Sequence, residues 1–148
     1  MKKYLLQVSL FALILTISSC DLFPLGEPNP GCTDIKALNY DYSAEVDDGS
    51  CTYSNAVFYA QWPAYNGITI VRTDITVNGN QQGTISYSIY PNGPSNCFAP
   101  GTVQYQFQDG NSVSWNAIHY LSTGVTIFAG GTISPSSSND CIKVNVTQ

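Results

Sequence analysis

The sequence predicts a mainly β protein: a small antiparallel β-sandwich preceded by a short, disulfide-closed acidic loop module. Three observations carry this. Short runs through residues 55–148 alternate apolar with polar side chains. Clusters of Gly, Asn and Ser separate those runs, and none of them carries the helical period. The chain divides into residues 1–19, an apolar leader; 20–30, a Pro-containing stretch; 31–54, the acidic loop; and 55–148, the sandwich.

Lys2 and Lys3 open the chain, and an apolar run extends from Leu5 to Ile17. The run is short for a membrane span, which needs ~20 apolar residues, and has the layout of a cleaved signal. Ile17-Ser18-Ser19-Cys20 resembles the lipobox of bacterial lipoproteins. That resemblance implies a diacylglyceryl thioether on Cys20 and cleavage before it. Two or more acyl chains, at ~0.8 kcal/mol per buried methylene, hold a protein on a bilayer where one does not. The following Pro24, Pro28 and Pro30 predict an extended tether. The expected location is therefore the cell envelope, on the outer membrane or cell surface, with covalent lipid as the membrane contact.

Five cysteines are an odd number for an exported chain. Assigning Cys20 to lipid leaves Cys32, Cys51, Cys97 and Cys141, an even set in an oxidising compartment. Sequence order and local context suggest Cys32–Cys51 and Cys97–Cys141, although four cysteines permit three connectivities. The absence of any Cys-x-x-Cys pair argues against zinc.

Without residues 1–19 the chain keeps three basic residues (Lys36, Arg72, Lys143) against ten acidic ones, a formal charge of −7. No basic patch exists, which argues against nucleic acid and against anionic lipid surfaces. Five of the acids lie between Cys32 and Cys51, so the charge is local and the later domain is nearly neutral.

The segment from Gly31 to Tyr53 is dense in turn and acidic residues, including Asp34, Asn39, Asp41, Asp47, Asp48 and Gly49. It resembles a cystine module of secreted and surface proteins of Bacteroidetes, with the pattern G-C-T-D-x-x-A-x-N-Y-D-x-x-A-x-x-D-D-G-S-C-x-Y. The resemblance covers about a sixth of the chain and implies a setting, not an activity. Closing a loop of this size by a disulfide removes denatured-state entropy worth ~3 kcal/mol. Two accounts of the carboxylates compete. Asp34, Asn39, Asp41, Asp47 and Asp48 supply the oxygen ligands calcium prefers, making it the one candidate cofactor, in a structural role. Alternatively the same side chains cap and turn the backbone. An EF-hand is excluded, because Val46 and Thr52 fall where its glycine and terminal glutamate belong.

In the sandwich, Ile85, Tyr87 and Ile89 share one face of residues 84–90, and Val103, Tyr105 and Phe107 share one face of residues 103–108 against Gln104, Gln106 and Gln108. Asn78-Gly79-Asn80-Gln81-Gln82-Gly83 separates Ile68–Val77 from residues 84–90, and Asp109-Gly110-Asn111 separates residues 103–108 from 112–118. Further apolar runs cover 56–62, 125–129 and 142–146. Six to eight short strands of this kind read as a sandwich. Cys97 is expected in a loop and Cys141 at the start of the last strand. The domain resembles small β-sandwich domains of other Bacteroidetes lipoproteins, which implies no chemistry.

Catalysis is not expected. The single histidine, His119, reads as a packing residue. Of the domain's carboxylates, Asp109 is explained by its turn and Asp140 by the Ser-Ser-Ser-Asn loop before Cys141, leaving Asp74 without an acid/base mate. No nucleophile elbow, zinc helix or phosphate loop occurs. The expected function is a non-catalytic structural or interaction module whose partner is an envelope protein. The alternative is a surface glycan-binding protein, with Trp62, Tyr65 and Trp115 as stacking faces beside the three glutamines. The competing account of those aromatics is that Trp115 packs the core and Trp62-Pro63-Ala64-Tyr65 packs a loop over a sandwich end.

Overall fold

The computed structural model describes residues 26–86, 88–138 and 141–147. The signal segment and Cys20 lie outside them, as do Tyr87 and Asp140. The described residues form ten strands: β1 (Pro30–Gly31), β2 (Val46–Asp47), β3 (Asn55–Tyr59), β4 (Ala64–Tyr65), β5 (Ile68–Val77), β6 (Asn80–Ile85), β7 (Val103–Gln106), β8 (Val113–Leu121), β9 (Thr126–Ile133) and β10 (Ile142–Asn145). β1 and β2 pair within the acidic loop. The rest form a three-stranded sheet, β10-β3-β7, and a five-stranded sheet, β4-β5-β8-β9 with β6 also on β5.

The expected alternation decides which faces meet. Along β8, Val113, Trp115, Ala117, His119 and Leu121 are buried while Ser114 and Asn116 are exposed. Val103 and Phe107 are buried and Gln104, Gln106 and Gln108 exposed, as the period of two requires. Facing residues from both sheets join one core: Ala56 and Phe58 from β3, Ile75 and Val77 from β5, Trp115 and Ala117 from β8, with Val144 from β10 among others. The Phe58 and Trp115 rings meet across the sheets with centroids 5.7 Å apart and planes tilted by 55°.

Three features differ from expectation. Residues 84–90 are not one strand: β6 starts at Asn80 and ends at Ile85. Ile85 is buried, but Ile89 is 36% exposed and makes only an isolated bridge to Ala60. The cause is the Asn78-Gly79 turn. Both residues have positive φ, 48° and 79°, so two residues suffice to reverse the chain, and Asn80 pairs at once with Val77. The second concerns direction. β10 lies parallel to β3, with Ile142 opposite Ala56 and Val144 opposite Phe58; the other pairs of both sheets are antiparallel. Parallel neighbours need a long connection, here one that leaves the five-stranded sheet after β9. Likewise, the Asp109-Gly110-Asn111 turn carries the chain from β7 in one sheet to β8 in the other and joins no hairpin.

Both disulfides form as expected, Cys32–Cys51 and Cys97–Cys141. The second explains why Val57, on the outward side of β3, is as fully buried as Ala56 and Phe58. The long connection after β6 crosses that outer face. Its Gly93 lies against Tyr59 and Lys143, its Pro94, Cys97 and Ala99 are buried, and the Tyr90 hydroxyl donates to the Pro100 carbonyl at 2.6 Å. Cys97 is then bonded to the residue that precedes β10.

Candidate functional site

The acidic loop is held by its own polar side chains. Asn39 donates through Nδ2 to the Ser50 carbonyl (2.8 Å) and accepts through Oδ1 from the Thr52 N–H (2.7 Å) and hydroxyl (3.0 Å). Asp34 accepts from the Tyr53 hydroxyl (2.7 Å) and the Lys36 N–H (2.9 Å). Asp41 accepts from the Ser43 hydroxyl and N–H (2.7 and 2.8 Å). Asp47 accepts from the Gly49 N–H and Asp48 from the Ser50 N–H, each at 2.9 Å. Asp34 is held below its ordinary pKa by Tyr53 and then Lys36, Asp41 by the Ser43 hydroxyl and N–H, and Asp48 by Ser50. Tyr53 is pushed up in turn by Asp34. Gly31 is needed where it stands, since a Cβ there would sit 3.1 Å from the Ala44 Cβ.

The motif residues thus close and turn the loop. The five calcium candidates do not gather: among the described residues, no three His, Cys, Asp or Glu side chains sit close enough to share a metal ion. As arranged, the loop's carboxylates and Asn39 cap its backbone.

A cleft of about 600 Å³ lies where the loop meets the sandwich, lined by Ile35, Lys36, Leu38, Phe107, Asp109 and Ser136 among others. Lys36 and Asp109 pair across it at 4.0 Å. Buried Ser54 fixes its far wall by accepting from the Ser136 N–H at 2.8 Å. Its walls come from four separate stretches of chain, so no local pattern announced it.

The three aromatic candidates separate. Trp115 is 8% exposed and belongs to the core; Trp62 and Tyr65 are 53% and 47% exposed. Trp115 nevertheless forms the floor of a groove of about 300 Å³ between β9 and β10, with Phe128, Gly130, Asn145 and Val146. Tyr65 lines a smaller hollow of about 70 Å³ with His119, Phe128 and Thr147. Phe128 and Ala129 belong to both hollows, so the two form one track along β9. Trp62 stands beside it, its backbone N–H donating to Thr147 Oγ1 at 3.1 Å. Gln104 and Gln106 lie on β7, at the opposite rim, where β6 and β7 pack together. The structure therefore brings the aromatics near one another but not near the glutamines.

The sequence did not single out Phe128, which is 72% exposed. The signal for it was the uncharged stretch of residues 121–138, unusual for a strand at a sheet edge.

The titratable groups of the sandwich are occupied structurally. His119 is buried, with Thr73 Oγ1 2.7 Å from its Nδ1 and a second hydrogen bond to the Val146 backbone. Burial pushes its pKa down, against the smaller opposing effect of Val146. Asp74 accepts from the Thr84 hydroxyl at 2.8 Å and pairs with Arg72 at 3.3 Å, and the Arg72 guanidinium lies 4.1 Å over the Tyr120 ring.

No protein-family model, curated protein or solved structure matches the chain.

Proposed function

We propose that this protein is a lipid-anchored component of the bacterial cell envelope whose β-sandwich is a non-catalytic interaction module. It binds its partner along the β9 rim. The observation that carries this reading is the track itself: a groove floored by Trp115 and Val146 and continuous with a hollow at Tyr65. Exposed Phe128 stands at the junction of the two. A large exposed aromatic on the outer face of a strand that has a free edge is what a protein partner engages, and it is costly to leave in water. The Pro-containing segment after Cys20 would hold this rim away from the bilayer. Lipid on Cys20 is tested by fatty-acid labelling, which Cys20→Ala is expected to abolish. Partner binding is tested by placing a photoactivatable phenylalanine analogue at Phe128 in intact cells. A covalent adduct is expected on irradiation, and its absence would count against the reading.

A second reading, surface glycan binding, is favoured by the exposure of Trp62 and Tyr65 at one end of the sandwich. Gel retardation of the full-length chain by one polysaccharide, lost in Trp62→Ala and Tyr65→Ala, would put it first.

A further inference from the structure

The two rims of the sandwich differ. At one, β6 and β7 pack so closely that a Cβ on Gly83 would sit 3.1 Å from Val103 Cγ2. At the other, among the described residues, β9 has a paired neighbour only in β8 and β10 only in β3. β9 is eight residues long, and its ladder to β8 runs without a register shift. Exposed edges are ordinarily protected by lysine, proline or a bulge. β9 reads Thr-Ile-Phe-Ala-Gly-Gly-Thr-Ile, with neither charge nor proline.

We infer that β9 pairs with β9 of a second copy of this chain, antiparallel about a twofold axis, joining two five-stranded sheets into one of ten strands. This rests on the interaction-module reading and names the partner of that same rim. Charge selects the occupant. The chain carries a formal −5, with five of its ten acids between Cys32 and Cys51. A basic partner would be drawn to those carboxylates and away from β9. Two acidic copies repel if they meet through their loops, whereas residues 121–138 set no like charges opposite one another.

Antiparallel pairing of one strand with itself is isologous, so the assembly closes at two copies and does not grow into a fibre. With the twofold axis at Phe128, the two exposed rings become apolar neighbours on one face of the joined sheet. The groove favours a strand over a sugar. Asn145 is already bonded, donating to Gln61 Oε1 at 2.7 Å and accepting from the Thr147 N–H and hydroxyl at 3.1 Å. The main-chain groups of the β9 edge are then what an occupant would bond, the mode of strand addition. Stable interfaces bury about 1,200–2,000 Å²; one strand pair is small beside that, so the dimer is expected to be reversible and concentration-dependent.

The test uses the full-length chain, in intact cells and in detergent solution. Irradiation with the photoactivatable analogue at Phe128 is expected to give an adduct of twice the chain mass. Sedimentation equilibrium is expected to show a dimer that Phe128→Lys weakens at least about tenfold. Val71→Lys, at an exposed position on β5, is expected to leave the dimer intact, and both variants to melt with the parent. An adduct of another mass with a monomeric chain overturns the second copy but retains the partner-binding reading. No adduct and a monomer overturn both. A dimer indifferent to Phe128→Lys overturns the assignment to β9.

Discussion

Asn39 shows why a loop rich in carboxylates folds at all. Its amide donates to Ser50 and accepts twice from Thr52, gripping the chain on both sides of Cys51, a combination no carboxylate or hydrocarbon offers. Asn39→Leu is expected to destabilise the loop by about 1–3 kcal/mol, read by urea denaturation, while Tyr42→Ala, at an exposed side chain, should be neutral. Because the carboxylates are already bonded within the loop, melting in calcium and in chelator is expected to coincide; a rise on adding calcium would mean that the oxygens rearrange into a site.

His119 makes a separate prediction at this scale. Its folded pKa lies below the ordinary 6.5, so between those two values the unfolded chain binds a proton that the folded chain does not. Stability should be full above about pH 6.5 and fall by up to about 1.4 kcal/mol per pH unit below it, until the folded pKa is reached. Asp34, Asp41 and Asp48 are depressed below 3.8, and their contribution is present above that value and lost as pH falls through their folded pKa. The carboxylate window lies below 3.8, outside the range from pH 7.5 to 5. Thermal melts from pH 7.5 to 5 should therefore slope for the parent and flatten for His119→Gln.

At the scale of elements, alternation told which face of a strand is buried but not which strand lies beside it. Val113, Trp115 and Ala117 along β8, and Val103 and Phe107 around β7, are inward as their spacing demands. The same spacing is silent on pairing, so the parallel entry of β10 beside β3 and the passage from β7 to the other sheet were not legible. Residues 84–90 were misjudged because period two continues through Tyr87 and Ile89 after the ladder to β5 has ended at Ile85. The β9 rim was half legible. Gly130-Gly131 and the missing charges mark an edge, but Phe128, Trp115 and Asn145 meet only after folding.

The glycines of that rim have steric causes. A Cβ on Gly130 would sit 2.9 Å from the Trp115 carbonyl oxygen and from Asn116 Oδ1, and one on Gly131 would be 3.2 Å from Trp115 Nε1. Gly130→Ala must displace β8 backbone and is expected to cost about 1–3 kcal/mol. Thr132→Ala, one residue past the pair and exposed, should change stability little. Denaturation of the two variants side by side separates backbone crowding from loss of a strand side chain.

For the whole molecule, the two disulfides close loops of different reach and guard different things. Cys32–Cys51 spans 19 residues and encloses a loop whose hydrogen bonds are mostly internal. Cys97–Cys141 spans 44 and fastens the connection that covers Val57 and the outer face of β3. Loop-closure entropy alone makes the second larger, about 4 kcal/mol against about 3. Its loss also frees the cover over Val57, a residue in the middle of the central strand of its sheet. Replacing Cys97 and Cys141 together by Ser should therefore lower the melting temperature of the sandwich by many degrees and speed hydrogen exchange along β3 and β10. Replacing Cys32 and Cys51 should loosen residues 31–53 and leave exchange in β5, β8 and β9 close to that of the parent, since no pair of those strands draws on the loop. Equal loss of protection across both sheets in the second variant would instead mean that the Lys36–Asp109 junction couples loop and sandwich into one cooperative unit.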